Sequence, residues 1–167
     1  TAASTIKVPL AVLFVDAIEA GDMSWDTSVT YTYANYEEGD GTVTAGVSNG
    51  TGKFSYTIEE LIGEALMHSD NTATNMLISY YNTYYGTGAF KTNVAAIEGV
   101  DTIDQAMYSD NVLSAKLLSA YYDLIASNEE YQPIVEFLLN TSPDRLFTTY
   151  VNSSLMANKY GNYSTAL

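Results

Sequence analysis

The chain has 167 residues, with twenty acidic side chains, six basic ones, one His and no Cys. Its length suits one domain with a substantial core, and its 47% hydrophobic content favours a globular protein over a disordered one. The formal net charge of −14 argues against nucleic-acid and anionic-membrane partners, because both are bound by clustered Lys and Arg. Without Cys there is no disulfide, thiolate zinc site or cysteine nucleophile. We therefore expect no metal and no other cofactor.

The first predicted helix covers residues 8–20, and Gly21 is its predicted stop. Its apolar residues lie almost all round the helix, which is typical of a buried central helix. The longest apolar run, residues 8–15, is far shorter than the roughly 20 residues that cross a bilayer. The sequence therefore predicts no membrane span.

Residues 22–56 are rich in glycine and contain an alternating stretch at 29–33, which predicts a loop with short strands. Thr57 and Glu60 form a capping box that opens the next helix. Apolar spacing then predicts further helices at 71–81, 88–97, 111–126, 134–140 and 144–150, followed by a strand at 155–160. The chain is expected to be mostly helical.

Ser4 and Lys7 stand three residues apart at the start of the buried helix. This spacing places both side chains on one face, so that the ammonium can reach the hydroxyl. The helix N-terminus favours an oxyanion near Ser4 and a lowered pKa for Lys7. A lysine desolvated in this way can act as a base, which makes Ser4 a candidate nucleophile.

Two further elements follow in order along the chain. Together the three are Ser4-x-x-Lys7, Ser69-Asp70-Asn71 and Lys159-Tyr160-Gly161. In order and rough spacing they resemble the three motifs of class A β-lactamases and penicillin-binding proteins, the penicillin-recognising serine hydrolases. Residues 20–26, 50–52, 56–61 and 99–102 also resemble segments of these proteins. The resemblance covers nearly the whole chain.

The resemblance implies a role for each motif residue. Ser4 is the acylated nucleophile and Lys7 its general base or proton relay, while Ser69 passes a proton to the leaving nitrogen. Asn71 binds the amide side chain of the substrate, and Lys159 provides positive potential for the substrate carboxylate and Ser69. Tyr160 and Gly161 complete the substrate-binding segment, and the backbone N–H groups of Ser4 and Asn162 form the oxyanion hole.

Two departures from the family pattern bear on activity. Tyr160 stands where the family has Thr or Ser, so a bulky phenol replaces a small hydroxyl that touches the substrate carboxylate. No Glu-x-x-Leu-Asn segment, which activates the deacylating water in efficient class A enzymes, occurs between Asn71 and Lys159. Glu98, Asp101 and Asp104 lie in the corresponding region without that context. A long-lived acyl-enzyme is expected.

The resemblance also implies the fold. We expect an α+β protein with the β-lactamase/transpeptidase-like fold, in which this chain is mostly the helical lobe and lacks most of the flanking antiparallel sheet. Residues 1–167 are then a single domain cut close at both ends. An extracellular or cell-surface bacterial location is expected, with any signal or anchor outside this chain.

Several other features have simpler explanations. Ser69 and Asp70 adjoin His68 too closely for a Ser–His–Asp relay, so His68 is interpreted as a helix-end residue. A second Ser-Asp-Asn, residues 109–111, is interpreted as an N-cap of the 111–126 helix. Paired tyrosines at 80–81, 84–85 and 121–122 are interpreted as half-buried helix edges rather than a carbohydrate platform.

The leading hypothesis is a serine hydrolase that acts through a Ser4 acyl-enzyme on β-lactams or D-alanyl cell-wall peptides, with slow deacylation. The alternative is a catalytically degenerate module of the same fold that binds a cell-wall ligand, and Tyr160 is the feature that favours it. A structural domain with coincidental motifs is disfavoured by their order. Oligomeric state is left open by the sequence.

Overall fold

A buried helix, α1 (Lys7–Glu19), lies at the centre of the fold. The computed structural model describes residues 2–96, 112–141, 152 and 156–162. Most of α1 is buried, and it contacts helices from both halves of the described chain. Its end is a Schellman motif, in which Gly21 with φ +80° donates to Ile18 and Asp22 donates to Ala17. The predicted helix and its glycine stop are confirmed.

The other described elements surround α1. The helices are α2 (Thr42–Ser48), α3 (Ile58–Met67), α4 (Asn71–Tyr85), α5 (Ala89–Ala95), α6 (Ala115–Ser127) and α7 (Gln132–Leu139). Short 3-10 turns occupy Ala3–Ile6, Tyr33–Asn35 and Glu129–Tyr131. Strands β1 (Ser28–Thr30) and β2 (Ser55–Thr57) pair antiparallel, with Val29 opposite Tyr56. The described residues are thus mostly helical with a short two-stranded sheet, as expected.

Helix α3 begins as the capping box predicts. The hydroxyl of Thr57 accepts from the N–H of Glu60, and the Glu60 carboxylate accepts from the N–H of Thr57. The apolar face of α3 is fully buried and packs against α1, α4 and α7. His68 is the C-cap of α3, which confirms its interpretation as a helix-end residue.

Helix α2 lies in the region predicted as loop and strands. Its sequence is rich in β-branched residues and contains Gly46, so local propensity is poor. Tertiary contacts supply its cap instead. The Glu64 carboxylate accepts from both the N–H and the hydroxyl of Thr42, and the Asp70 carboxylate accepts from the N–H of Thr44. Two carboxylates distant in sequence therefore satisfy N–H groups of the first turn of α2.

The predicted start of one helix in the C-terminal part is wrong. Helix α6 begins at Ala115 rather than 111, because the Ser114 hydroxyl caps it by accepting from the N–H of Leu117. The predicted capping residues 109–111 lie outside the described residues, as does the predicted helix at 144–150.

The strand predicted at 155–160 is also wrong over residues 156–160, which have no regular secondary structure. A β-strand must form backbone hydrogen bonds with a neighbouring strand. The backbone of Asn158 instead donates its N–H to the Leu138 carbonyl and accepts from the Thr141 hydroxyl. The segment is therefore attached to the end of α7. Within the described ranges, no helix has the length and apolar character needed to cross a membrane.

Candidate active site

Ser4 lies in the 3-10 turn that leads directly into α1, and Lys7 is the first residue of that helix. The Lys7 ammonium is 3.2 Å from the Ser4 hydroxyl oxygen, so the spacing in sequence does bring the two side chains together. Ser4 is half-buried and Lys7 is buried. Ala3, immediately before Ser4, has φ +46°, a conformation that non-glycine residues rarely adopt.

The second motif forms the junction between α3 and α4. Ser69 has φ +60°, again unusual for a residue other than glycine. This conformation directs its carbonyl towards α1, where the oxygen accepts from Lys7 Nζ at 2.6 Å. The Ser69 hydroxyl oxygen lies 3.2 Å from the same Nζ, and Asn71 Oδ1 lies 2.8 Å from it. Ser69 and Asn71 are therefore both hydrogen-bonded to Lys7, which is also hydrogen-bonded to Ser4.

We call these four acceptors the Lys7 socket: Ser4 Oγ, Ser69 O, Ser69 Oγ and Asn71 Oδ1. Two of them, the Ser69 carbonyl and Asn71 Oδ1, can only accept hydrogen bonds. A neutral Lys7 amine has two N–H groups, which match these two acceptors, and one lone pair, which is then left for a hydroxyl. The socket can therefore hold an amine whose lone pair accepts a proton from a serine.

Burial lowers the pKa of Lys7 to about 8, although the carboxylates of Asp70, Glu37 and Asp40 oppose the shift. Desolvation disfavours the charged ammonium, whereas nearby negative charge favours it. A pKa near 8 leaves a useful fraction of neutral amine at neutral pH, as a general base requires.

Asp70, the middle residue of the second motif, has a structural role of which the motif gave no indication. Its side chain is fully buried, and its carboxylate accepts from the Ala73 N–H at 2.8 Å and the Thr44 hydroxyl at 2.8 Å, besides the Thr44 N–H at 2.9 Å. It thus caps α4 and also fixes α2. Gly41 has φ +105°, and any side chain there would collide with Asp70. Only tertiary structure identifies this role.

The loop before α2 fixes the Asn71 amide. Asn71 Nδ2 donates to the Glu38 carbonyl at 3.0 Å, which orients the amide so that Oδ1 faces Lys7. Glu37 is held beside it, since its carbonyl accepts from the Thr72 hydroxyl at 3.1 Å. One N–H of the Asn71 amide is used in this way, and the second provides a further donor.

The third motif differs from the first two in its surroundings. Lys159 is 7% exposed, and its ammonium donates to the Tyr160 carbonyl at 3.2 Å. The same ammonium lies over the Tyr160 ring, 4.8 Å from the centroid. It forms no ion pair with any carboxylate among residues 2–96, 112–141, 152 and 156–162. Burial first, and then the neighbouring charge of Lys7, lower the pKa of Lys159 to about 7.

Gly161 closes the third motif onto the turn that carries Ser4. A Cβ atom on Gly161 would lie 2.9 Å from the Ala2 carbonyl oxygen and 3.2 Å from the Ser4 nitrogen. Only a residue without a side chain fits this approach without a shift. Asn162, the residue after Gly161, is exposed.

The sequence-predicted site residues are therefore brought to one place by two kinds of contact. Ser4, Lys7, Ser69 and Asn71 share the Lys7 socket, and Gly161 packs on the Ser4 turn. The charge of Lys7 contributes to the lowered pKa of Lys159, although the described contacts include no direct hydrogen bond between the two side chains. Glu98, Asp101 and Asp104 lie outside the described residues. No group of three metal-binding side chains occurs within the described ranges.

Comparison with known families decides the affiliation. The family model described as the Beta-lactamase enzyme family matches residues 1–167. The chain belongs to this family. Solved structures with the same fold include a β-lactamase from Sphaerobacter thermophilus DSM 20745, at 22% identity and a TM-score of 0.69, which covers 90% of this chain and 58% of that chain. No curated protein sequence matches the chain.

Two other structures extend this likeness. PBP-A shares 22% identity with a TM-score of 0.67 over 86% of this chain and 55% of its own length. A class A β-lactamase from Mycobacterium abscessus shares 18% identity with a TM-score of 0.62 over 86% of this chain and 58% of its own. The chain therefore spans little more than half the length of these structures. At such identities the likeness establishes the fold of the family.

Proposed function

We propose that this family member is a serine acyltransferase-hydrolase that forms an ester between Ser4 and the carbonyl of a β-lactam or D-alanyl peptide. The observation that carries the proposal is the Lys7 socket, in which one buried amine lies 3.2 Å from two serine hydroxyls. A mutant of PBP-A has been solved as an acyl-enzyme complex with penicillin G, which supports this class of substrate.

Acylation follows from the socket. Neutral Lys7 accepts the Ser4 hydroxyl proton while Ser4 Oγ attacks the substrate carbonyl carbon, so a C–O bond forms and the carbonyl oxygen becomes an oxyanion. The backbone N–H groups of Ser4 and Asn162 are assigned to that oxyanion, an interaction often worth several kcal/mol in acyl transfer. Ser69 then donates its proton to the leaving nitrogen as the C–N bond breaks, and Lys7 returns a proton to Ser69.

Substrate recognition is assigned to the remaining motif residues. The free N–H of the Asn71 amide donates to the acylamino side chain of the substrate. The Lys159 ammonium attracts a substrate carboxylate, because it is buried without a described counter-charge. Tyr160 and Gly161 border the same position. These substrates occur outside the cytoplasm, and we place the activity there.

Slow deacylation is part of the proposal. The sequence between Asn71 and Lys159 contains no Glu-x-x-Leu-Asn segment to activate a water molecule. The acyl-enzyme is then expected to outlive that of an efficient β-lactamase. A second candidate, a binding module that does not turn over, is favoured by one observation: the Tyr160 ring lies over the Lys159 ammonium, where a substrate anion is expected.

The test is direct. The full chain is incubated with benzylpenicillin and followed by intact-protein mass spectrometry, with peptide mapping and Ser4→Ala as the control. The expected result is an adduct of the mass of the intact penicillin, located on Ser4, absent from Ser4→Ala, and persisting for hours. Hydrolysis of nitrocefin is expected to be slow. No adduct with benzylpenicillin or with an acyl-D-Ala-D-Ala peptide thioester contradicts acyl transfer and leaves the binding module.

A further inference from the structure

Lys159 has an unusual set of partners for a buried cation. Among the described residues, its ammonium contacts one carbonyl, at 3.2 Å, and one aromatic face, at 4.8 Å, and both belong to Tyr160. Within that described part of the chain, the charged group that acts on it is Lys7, which is itself a cation. A buried charge is ordinarily paired with an opposite charge. Here the negative face of an aromatic ring takes that position.

The ring therefore occupies a side of Lys159 that an anion would otherwise approach. Tyr160 is half-buried, and its backbone is anchored because the adjacent Gly161 packs on the Ser4 turn. Displacing the ring from Lys159 therefore requires at least a rotation of the Tyr160 side chain. A carboxylate that binds Lys159 must first displace the ring or share the ammonium with it.

We propose that Tyr160 is a specificity-determining residue that competes internally for Lys159, so that the preference of this site for acyl donors bearing a carboxylate over uncharged ones is weakened. The inference rests on the proposed function, since it names the substrate class of the same acyl-transfer site. A charge-assisted bond from a carboxylate to an ammonium is stronger than a cation–π contact. Anionic donors therefore still bind, with their affinity reduced by the ring.

The size of the reduction follows from the contact that is lost. Cation–π contacts of this type correspond to roughly a 2- to 30-fold change in an equilibrium constant. An uncharged donor does not need Lys159 and leaves the ring in place. The quantity that isolates Tyr160 is therefore the ratio between an anionic donor and its uncharged counterpart, because a general loss of folding or of Ser4 reactivity affects both equally.

Benzylpenicillin and its methyl ester form such a pair, since they differ in the carboxylate. The second-order rate constant for acylation of Ser4 is measured for both by mass spectrometry in the wild type, Tyr160→Thr and Tyr160→Phe. Tyr160→Thr is expected to raise the acid-to-ester ratio roughly 2- to 30-fold. Tyr160→Phe keeps the ring and is expected to keep the wild-type ratio. An unchanged or lower ratio in Tyr160→Thr overturns the proposal.

A binding measurement separates this proposal from the proposed function. Calorimetric titration of Ser4→Ala and of the double variant Ser4→Ala, Tyr160→Thr with the same two compounds needs no acylation. If the wild type forms no adduct, acyl transfer at Ser4 fails, while a rise in relative affinity for the acid on loss of the ring still supports the role of Tyr160. If the relative affinity is unchanged, or neither compound binds, the proposal for Tyr160 is overturned.

Discussion

Two buried lysines of the site, Lys7 and Lys159, have contrasting surroundings. Lys7 contacts four oxygen acceptors, contributed by the 3-10 turn before α1 and by the start of α4 with the junction that precedes it. Lys159 contacts the carbonyl and ring of the residue next to it, in a segment without regular secondary structure. The first lysine is held by four oxygen acceptors, which suits the proton transfer proposed for it. The second is left short of negative charge, as a group that binds an anion requires.

The largest expected effect comes from replacing Lys7, the lysine with four oxygen acceptors. Lys7→Ala deletes the proposed base, and general-base contributions of about 100- to 10,000-fold are typical. We expect the acylation rate constant with benzylpenicillin to fall by that factor, measured by mass spectrometry. Lys53→Ala is the matched control, because Lys53 is an exposed lysine that pairs with Glu60 and belongs to none of the three motifs. A loss below tenfold for Lys7→Ala contradicts its assignment as base.

Gly161 packs the third motif against the turn that carries Ser4, and a methyl group at this position is expected to separate them. Gly161→Ala places a Cβ atom 2.9 Å from the Ala2 carbonyl oxygen, so the third motif must shift away from Ser4. Loss of one oxyanion donor costs about 100- to 1,000-fold in rate. A displaced donor is expected to cost less, so we expect acylation to slow by about 10- to 100-fold. Gly50→Ala is the control, because that position has open space although φ is +70°. Equal rates for both variants contradict the contact.

The pH dependence of acylation separates the two lysines. With the uncharged methyl ester, the rate is expected to rise about tenfold per pH unit and to level off above the Lys7 pKa of about 8, because the neutral amine is the base. With benzylpenicillin, loss of the Lys159 charge above its pKa of about 7 opposes that rise, so a maximum between these two values is expected. Identical profiles for acid and ester contradict the anion-binding role of Lys159.

The smallest effect concerns stability. The pKa of Lys159 falls from 10.5 to about 7 on folding, so the unfolded chain binds more protons between these values and stability rises with pH across that window. Lys159→Met is expected to raise the free energy of unfolding by about 1–2 kcal/mol at pH 7 and to flatten this slope. Chemical denaturation at pH 7 and pH 9 measures both quantities.

Lys7→Met is the comparison for that experiment. Its replacement leaves the Ser69 carbonyl and Asn71 Oδ1 without their donor, at a cost for each buried acceptor of about 1–3 kcal/mol. The gain in stability is therefore expected to be smaller than for Lys159→Met. An equal gain shows that the four acceptors of the Lys7 socket contribute little.

Features with local causes could be predicted from the amino-acid sequence alone. The stop of α1 at Gly21, the capping box of Thr57 and Glu60, and the three-residue spacing of Ser4 and Lys7 each depend on neighbours along the chain, and each is found as predicted. The ordered motifs likewise led to the family, which the match over residues 1–167 establishes.

Tertiary structure decided the features that depend on partners distant in the chain. Helix α2 exists because Glu64 and Asp70 cap it across 22 and 26 residues, and the predicted strand at 155–160 is absent from residues 156–160 because Asn158 bonds to the end of α7 instead. The contrast between the lysines has the same origin. Each lysine is one residue of a sequence motif, and only the folded chain determines how many acceptors surround its ammonium.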